Sequence, residues 1–244
     1  WIRAACPPDA AIHIADVTAD HAVLGFVGPD TPALAAALDA GWLNEIGYFR
    51  HQAGVIAGIT LHAARLSYVG EAGWELTCDS GDAPALYDCL AAAGAVPVGT
   101  YAQTAMRIEK GFLAYGHDLD TDVTPAMAGL EFALSRDKDF VGSAALAGMD
   151  PPATRLVSLD FDDAGAVPLG NEPVCADGVI IGKTTSAAFG YRIGRPVALA
   201  LVASDHAVAG AGLTVDIAGH HAVCRVAVGP LFDAGGARMR AAAS

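Results

Sequence analysis

The alternation of apolar and polar positions divides the chain into two parts. As far as Leu146, short alternating runs are interleaved with runs in which apolar side chains recur every three to four residues. Beyond a linker at residues 148–153, short alternating runs remain, separated by clusters of Gly, Pro, Asn and Asp. We therefore predict an α+β fold with antiparallel sheets over residues 1–150, followed by a small antiparallel β-barrel over residues 151–244.

Capping residues mark three helices in the first part. Thr31, Asp82 and Thr100 stand as N-caps before helical runs, and Gly94 and Gly111 follow the second and third runs. The predicted helices cover residues 32–38, 83–93 and 100–110. The predicted strands cover residues 11–17, 22–27, a stretch near 47, 56–64, 66–69 and 74–78, and in the barrel 155–161, 179–185, 197–203, 213–217 and 221–226.

Two charged residues in the first part are candidates for ligand binding. Trp74 lies on one face of its strand and Glu75 on the other, where a carboxylate can accept two parallel hydrogen bonds from the flat edge of a pterin or guanine. Arg107 lies on a polar helix face and can donate paired hydrogen bonds to a carboxylate or carbonyl. The alternatives are a solvated strand residue for Glu75 and a surface ion pair for Arg107.

Charge and composition exclude several classes of function. A net charge of −13 with 14 Lys and Arg argues against nucleic-acid binding. No apolar run approaches the roughly 18 residues of a membrane helix, and no GxGxxG follows a predicted strand, so we expect neither membrane insertion nor a dinucleotide site. Five scattered cysteines without CxxC spacing and eight histidines without a ligand pattern predict no metal site and a reducing, cytoplasmic compartment.

Three ordered motifs carry a family resemblance: SYVGEAGWEL (67–76), RIEKGFLAYGHDL (107–119) and DVTPAMAGLEFALSRDKDFVGSAAL (122–146). They resemble the folate-binding aminomethyltransferase family, which includes the glycine cleavage T-protein and the C-terminal halves of dimethylglycine and sarcosine dehydrogenases. The resemblance implies a folate-binding domain that lacks its N-terminal part, with the family's catalytic aspartate upstream of residue 1 and the catalytic residue of this chain unknown. It also implies tetrahydrofolate contacts from Tyr68, Glu75, Arg107 and Tyr115.

The implied chemistry is capture of a one-carbon unit by tetrahydrofolate. RIEKGF stands where a T-protein tends to have RLEAGL, and no aromatic residue follows Phe232. Both departures favour a module that traps the carbon released by oxidative demethylation of a methylated amine, of the dimethylglycine or sarcosine type, as 5,10-methylenetetrahydrofolate. FAD would then be bound by an upstream domain or a partner subunit. The alternatives are a T-protein that takes its carbon from a lipoyl-bearing carrier protein and a non-catalytic module for assembly or regulation.

Overall fold

The computed structural model of the chain describes residues 1–241, which form two compact units. The first unit contains Trp1–Ser67, Glu71–Pro97 and the residues from Met239 onward. The second contains Tyr68–Gly70 and Val98–Arg238. Each unit has its own buried apolar core.

The helices are short and occur mainly before the barrel strands. The α-helices are α1 (Ile2–Ala5), α2 (Thr31–Ala37), α3 (Ala83–Ala92), α4 (Thr100–Glu109), α5 (Pro125–Ala128), α6 (Ser143–Ala147) and α7 (Ala237–Arg240). Single turns of 3-10 helix cover Gly41–Glu45, Glu131–Ala133 and Ser204–His206. The three predicted helices are confirmed as α2, α3 and α4, although Asp30 and Gly99 are the N-caps in place of Thr31 and Thr100.

A four-stranded antiparallel sheet forms the first unit. Its strands are β1 (His21–Val27), β2 (His51–Ile56), β3 (Ile59–Ala64) and β4 (Gly73–Asp79), in the order β1-β4-β3-β2. Trp74, Leu76 and Cys78 of β4 are buried, as the alternation predicts. Trp74 stacks on Phe26 of β1, with ring centroids 6.2 Å apart. One face of the sheet therefore carries the core, and the opposite face carries Glu75.

A closed six-stranded antiparallel barrel forms most of the second unit. Its strands are β5 (Thr154–Phe161), β6 (Pro173–Ala176), β7 (Val179–Gly190), β8 (Arg195–Ala203), β9 (Gly212–Ile217) and β10 (His220–Ala227), in the order β10-β5-β8-β7-β6-β9. Helix α4 packs against β7 and β8 of this barrel. The predicted fold class, an α+β part followed by an antiparallel barrel, is confirmed.

Three strand predictions in the first part are wrong, and β6 was not predicted. Residues 11–17 and 66–69 form no strand, and β2 begins at His51, after the stretch near residue 47. Residues 66–69 cannot pair with β4, because β1 and β3 already occupy its two sides. The chain before β4 instead forms a turn in which the Glu71 N–H donates to the Ser67 hydroxyl at 3.1 Å and Gly70 adopts a φ of +79°.

Candidate functional site

The end of helix α4 and the C-cap residue that follows it, Lys110, place three charged residues in the interior of the second unit. Arg107, Glu109 and Lys110 are 3%, 1% and 2% exposed. A buried charge is strongly destabilising unless a partner of opposite charge and hydrogen bonds compensate for its lost hydration. The surroundings of each of the three show how the unit meets this requirement.

Arg107 forms a buried ion pair with Asp118, which is 1% exposed. The Asp118 carboxylate also accepts hydrogen bonds from the Thr185 hydroxyl of β7 and, at 2.9 Å, from the Ala114 N–H. The Arg107 guanidinium donates further bonds to the Ser186 hydroxyl at 2.7 Å and to the Phe112 carbonyl at 3.1 Å. Together these bonds fix the loop at residues 112–118 to α4 and to the barrel.

Glu109 is paired with Arg192 in the turn between β7 and β8. Its carboxylate accepts from Arg192 Nε at 2.6 Å and from the Arg192 backbone N–H at 2.7 Å. The guanidinium also donates to the carbonyls of Val69 at 2.8 Å and Met106 at 2.6 Å. Its carbon lies 3.8 Å from the centroid of the Phe232 ring, a cation–π contact. Arg192 thereby connects α4, the Val69 segment and the region of Phe232.

Lys110 donates to both the carbonyl and the carboxylate of Asp233, the latter at 3.3 Å. Burial raises the pKa of Asp233, but the bond from Lys110 and the N–H groups of Arg238 and Ala237 more than offset this effect, so the pKa lies below 3.8. In the barrel, burial of Glu172 is likewise outweighed by donors, first the Thr184 hydroxyl and then backbone N–H groups, and its pKa is lowered from 4.5.

These lowered pKa values predict how stability depends on pH. A carboxyl group whose pKa is lower in the folded state stabilises the fold above its unfolded value and loses that contribution as the pH falls through its folded value. Stability should therefore decline as the pH falls below about 4.5. In urea unfolding, the variants Asp233→Asn and Glu172→Gln should each show a shallower decline between about pH 5 and pH 3 than the wild type. Parallel profiles for wild type and variants would contradict this expectation.

Tyr68 lies in the second unit with its ring 37% exposed. Its hydroxyl donates to the Leu113 carbonyl at 3.1 Å, and its ring stacks on that of Phe112. Burial raises the pKa of Tyr68, an effect that the charge of Arg107 opposes and that of Asp118 reinforces. The hydroxyl is therefore protonated at neutral pH and acts as a hydrogen-bond donor.

Tyr115 is on the loop that the Arg107 and Asp118 pair holds, and it is 75% exposed. Its backbone forms an isolated bridge with Leu119. The family resemblance implied folate contacts from Tyr68, Arg107 and Tyr115, and the structure places all three in the second unit. The sequence analysis did not single out Asp118. The available signal was the run Thr184, Thr185 and Ser186, because hydroxyl side chains inside an otherwise apolar barrel strand need polar partners.

Glu75 lies in the first unit, in the middle of β4. Its cross-strand neighbours are Gly25 of β1 and Ala64 of β3. Gly25 has no side chain, and a Cβ built there would meet no atom within 4 Å. Because both neighbours have little or no side chain, the partly exposed Glu75 lies on an open part of the sheet face. The buried Trp74 lies on the opposite face.

Metal binding and membrane insertion find no support in the described residues. Within residues 1–241, no three His, Cys, Asp or Glu side chains converge so that they could hold a metal ion. No helix in that range combines the length and the apolar character needed to cross a bilayer. All five cysteines are free thiols, and burial raises the pKa of Cys224 in the barrel to about 12.

Two family models match successive parts of the chain. The family model described as the GCVT N-terminal domain matches residues 1–138, and that of the glycine cleavage T-protein C-terminal barrel domain matches residues 154–233. The chain belongs to the glycine cleavage T-protein family, and the resemblance of the three sequence motifs is confirmed.

Several known proteins are similar over most of the chain. An aminomethyltransferase of Streptomyces avermitilis is 37% identical over 225 residues, covering 87% of this chain and 60% of that protein. Human mitochondrial dimethylglycine dehydrogenase is 33% identical over 218 residues, 85% of this chain and 25% of that protein. The crystal structure of glycine cleavage system aminomethyltransferase T from Bartonella henselae superposes with a TM-score of 0.79 at 25% identity, covering 88% of this chain and 60% of that one. The chain thus spans about 60% of the length of its aminomethyltransferase relatives.

Proposed function

We propose that the chain provides the tetrahydrofolate-binding part of an aminomethyltransferase of the glycine cleavage type. Among the relatives, the aminomethyltransferases of Streptomyces avermitilis and Saccharopolyspora erythraea are 37% and 35% identical, against 33% for human dimethylglycine dehydrogenase. This ordering supports the T-protein alternative more than the demethylating module that the sequence motifs favoured.

The position of Glu75 is the observation that carries this proposal. A pterin presents an amino group and a ring N–H side by side, and a carboxylate pairs with such an edge through two parallel hydrogen bonds. A flat ring can approach only where neighbouring side chains leave room. Gly25 and Ala64 on the adjacent strands leave that room around Glu75.

In the second unit, we propose Tyr68 and Tyr115 as further contacts and Arg107 as the residue that positions them. The protonated Tyr68 hydroxyl and the exposed Tyr115 ring offer polar and aromatic contacts from chain segments that are held firmly. Arg107 forms hydrogen bonds with Asp118, Phe112 and Ser186. Its contribution to binding is therefore to hold the loop that carries Tyr115 and the Leu113 carbonyl.

Tetrahydrofolate, when bound, supplies the nitrogen atoms that accept the one-carbon unit. This chain contributes orientation, since a ligand held at a fixed carboxylate reacts without the entropic cost of finding its position. Effects of this kind are worth roughly 7 to 11 kcal/mol in favourable cases.

Replacing the Glu75 carboxylate tests the proposal. Glu75→Gln keeps the shape but substitutes a donor for one acceptor oxygen, so we expect tetrahydrofolate binding to weaken by about 1 to 3 kcal/mol. Calorimetric titration of the full-length gene product that contains these 244 residues measures the effect. Glu131→Gln, at an exposed position in a 3-10 turn, is the matched control and should bind like the wild type. Equal affinity in all three proteins would refute the assignment of Glu75.

A demethylating module remains the second candidate because of one ion pair. Lys110 of RIEKGF, one departure that favours it, is bonded to Asp233 at the start of the stretch after Phe232 that lacks an aromatic residue. Dimethylglycine dehydrogenases of human and mouse are 33% and 31% identical to this chain. In this case a flavin-bearing domain or subunit would supply the carbon from a methylated amine. Transfer from a flavin partner without transfer from a lipoyl carrier would favour this candidate.

We also propose domain boundaries near residue 150. The two family matches leave residues 139–153 between them, and residues 148–153 lie between α6 and β5 with Pro151 and Pro152 preventing regular structure. Limited proteolysis should therefore cut first between Gly148 and Thr154. Mass spectrometry of the first products measures the site, and an initial cut within Val179–Gly190 would contradict the proposed boundary.

A further inference from the structure

Tyr68 and Phe112 present a pair of aligned rings on the second unit. Their planes lie within 9° of parallel, with centroids 6.2 Å apart, which is the offset stacking that aromatic side chains prefer. Tyr68 is 37% exposed and Phe112 is partly exposed, so neither ring belongs to a buried core. Two aromatic rings that remain open to water keep apolar surface available for a further flat partner.

Hydrogen bonds fix the Tyr68 hydroxyl and the backbone of Phe112. The Tyr68 hydroxyl donates to the Leu113 carbonyl at 3.1 Å. The Phe112 N–H donates to the Arg107 carbonyl at 2.8 Å, and the Phe112 carbonyl accepts from the Arg107 guanidinium at 3.1 Å. Arg107 is in turn fixed by buried Asp118. The backbone of Phe112 is therefore set before any ligand arrives, and its ring is stacked on that of Tyr68.

We propose that Phe112 is a further ligand-contacting residue, whose ring stacks with an aromatic ring of the bound molecule. This inference rests on the proposed function, under which the ligand is tetrahydrofolate, with a planar pyrimidinone ring and an aminobenzoyl ring. Stacking on a fixed aromatic side chain needs a π-face and no hydrogen-bond pattern. Phe112 would thus contribute affinity for the ring itself rather than for a polar edge.

A purely structural Phe112 would fill space, and any apolar side chain of similar volume would replace it. A stacking Phe112 requires the ring. The variants Phe112→Leu and Phe112→Tyr separate the two roles, because leucine keeps the apolar volume without a π-face and tyrosine keeps the π-face. Phe132→Leu makes the same chemical change at a strongly exposed phenylalanine and serves as the matched control.

The test is calorimetric titration of tetrahydrofolate into these variants of the full-length gene product, with thermal unfolding to show that each is folded. We expect Phe112→Leu to raise Kd by roughly 5- to 50-fold, from the usual contribution of stacking on an aromatic residue. Phe112→Tyr and Phe132→Leu should stay within about twofold of the wild type. Near-ultraviolet circular dichroism should change on ligand addition in the wild type and Phe112→Tyr and change less in Phe112→Leu.

Three results would overturn the inference. A Phe112→Leu variant with wild-type Kd would show that the ring makes no contact, while leaving the proposed function intact. Equal losses in Phe112→Leu and Phe112→Tyr would show that the ring face is not the determinant. If the wild type did not bind tetrahydrofolate, both the proposed function and this inference would fail. The wild-type titration alone distinguishes this result from the first two.

Discussion

Replacing Asp118 by asparagine is expected to lower the free energy of unfolding by about 3 to 5 kcal/mol, because it leaves the Arg107 guanidinium buried without its counter-charge. The side chains of both residues are almost completely inaccessible to water. The substitution preserves size and one acceptor oxygen, so lost charge dominates the effect over lost packing. Urea unfolding followed by circular dichroism measures it.

The barrel offers a matched control for this prediction. Asp160 and Arg195 form an ion pair whose Arg195 side chain is 47% exposed. Asp160→Asn should lower the free energy of unfolding by less than about 1 kcal/mol, since water screens an exposed ion pair and hydrates both partners once the pair is broken. Comparable losses from Asp118→Asn and Asp160→Asn would contradict the view that the buried pair organises the 112–118 loop.

Gly73→Ala is expected to destabilise the chain by about 2 to 5 kcal/mol, combining backbone strain with overpacking. Gly73 has a φ of +147°, and a Cβ at this position would lie 2.3 Å from the Phe26 carbonyl oxygen. Neither the strand nor its partner can move without disturbing the β1 and β4 ladder that carries Glu75. Thermal and urea unfolding both measure the loss.

Gly25 provides the control, since it lies in the adjacent strand of the same sheet. A Cβ at Gly25 meets no atom within 4 Å. Gly25→Ala should therefore leave stability unchanged or raise it by up to about 1 kcal/mol, because glycine loses more backbone entropy on folding than alanine does. No loss from Gly73→Ala would show that the backbone at the start of β4 tolerates a side chain. A large loss from Gly25→Ala would contradict the open space around Gly25.

The sequence predicts those helices and strands whose formation depends on local features, such as apolar periodicity and capping residues. The burial of Trp74, Leu76 and Cys78 follows from a period of two, and α3 follows from its capping residues and its apolar spacing. Residues 11–17 have the apolar content of a strand but form none. A strand is defined by its neighbours, so its pattern is insufficient where the topology supplies none.

The buried polar network could not be derived in the same way. Arg107 bonds to Asp118, 11 positions further along the chain, and to Ser186, 79 positions further along. Residue type alone left a surface ion pair and a ligand contact as the alternatives for Arg107, whereas its ion pair is buried. The position of Glu75 between Gly25 and Ala64 likewise depends on the register of β1, β4 and β3. Local periodicity does not specify that register.

The most direct test of the account is a transfer assay with the full-length gene product, tetrahydrofolate and an aminomethyl-loaded lipoyl carrier protein. The account predicts release of ammonia and appearance of 5,10-methylenetetrahydrofolate, both dependent on tetrahydrofolate. It predicts slower turnover at subsaturating tetrahydrofolate for Glu75→Gln than for Glu131→Gln. Failure to transfer carbon from either the carrier or a flavin partner, together with no calorimetric heat on addition of tetrahydrofolate, would contradict it.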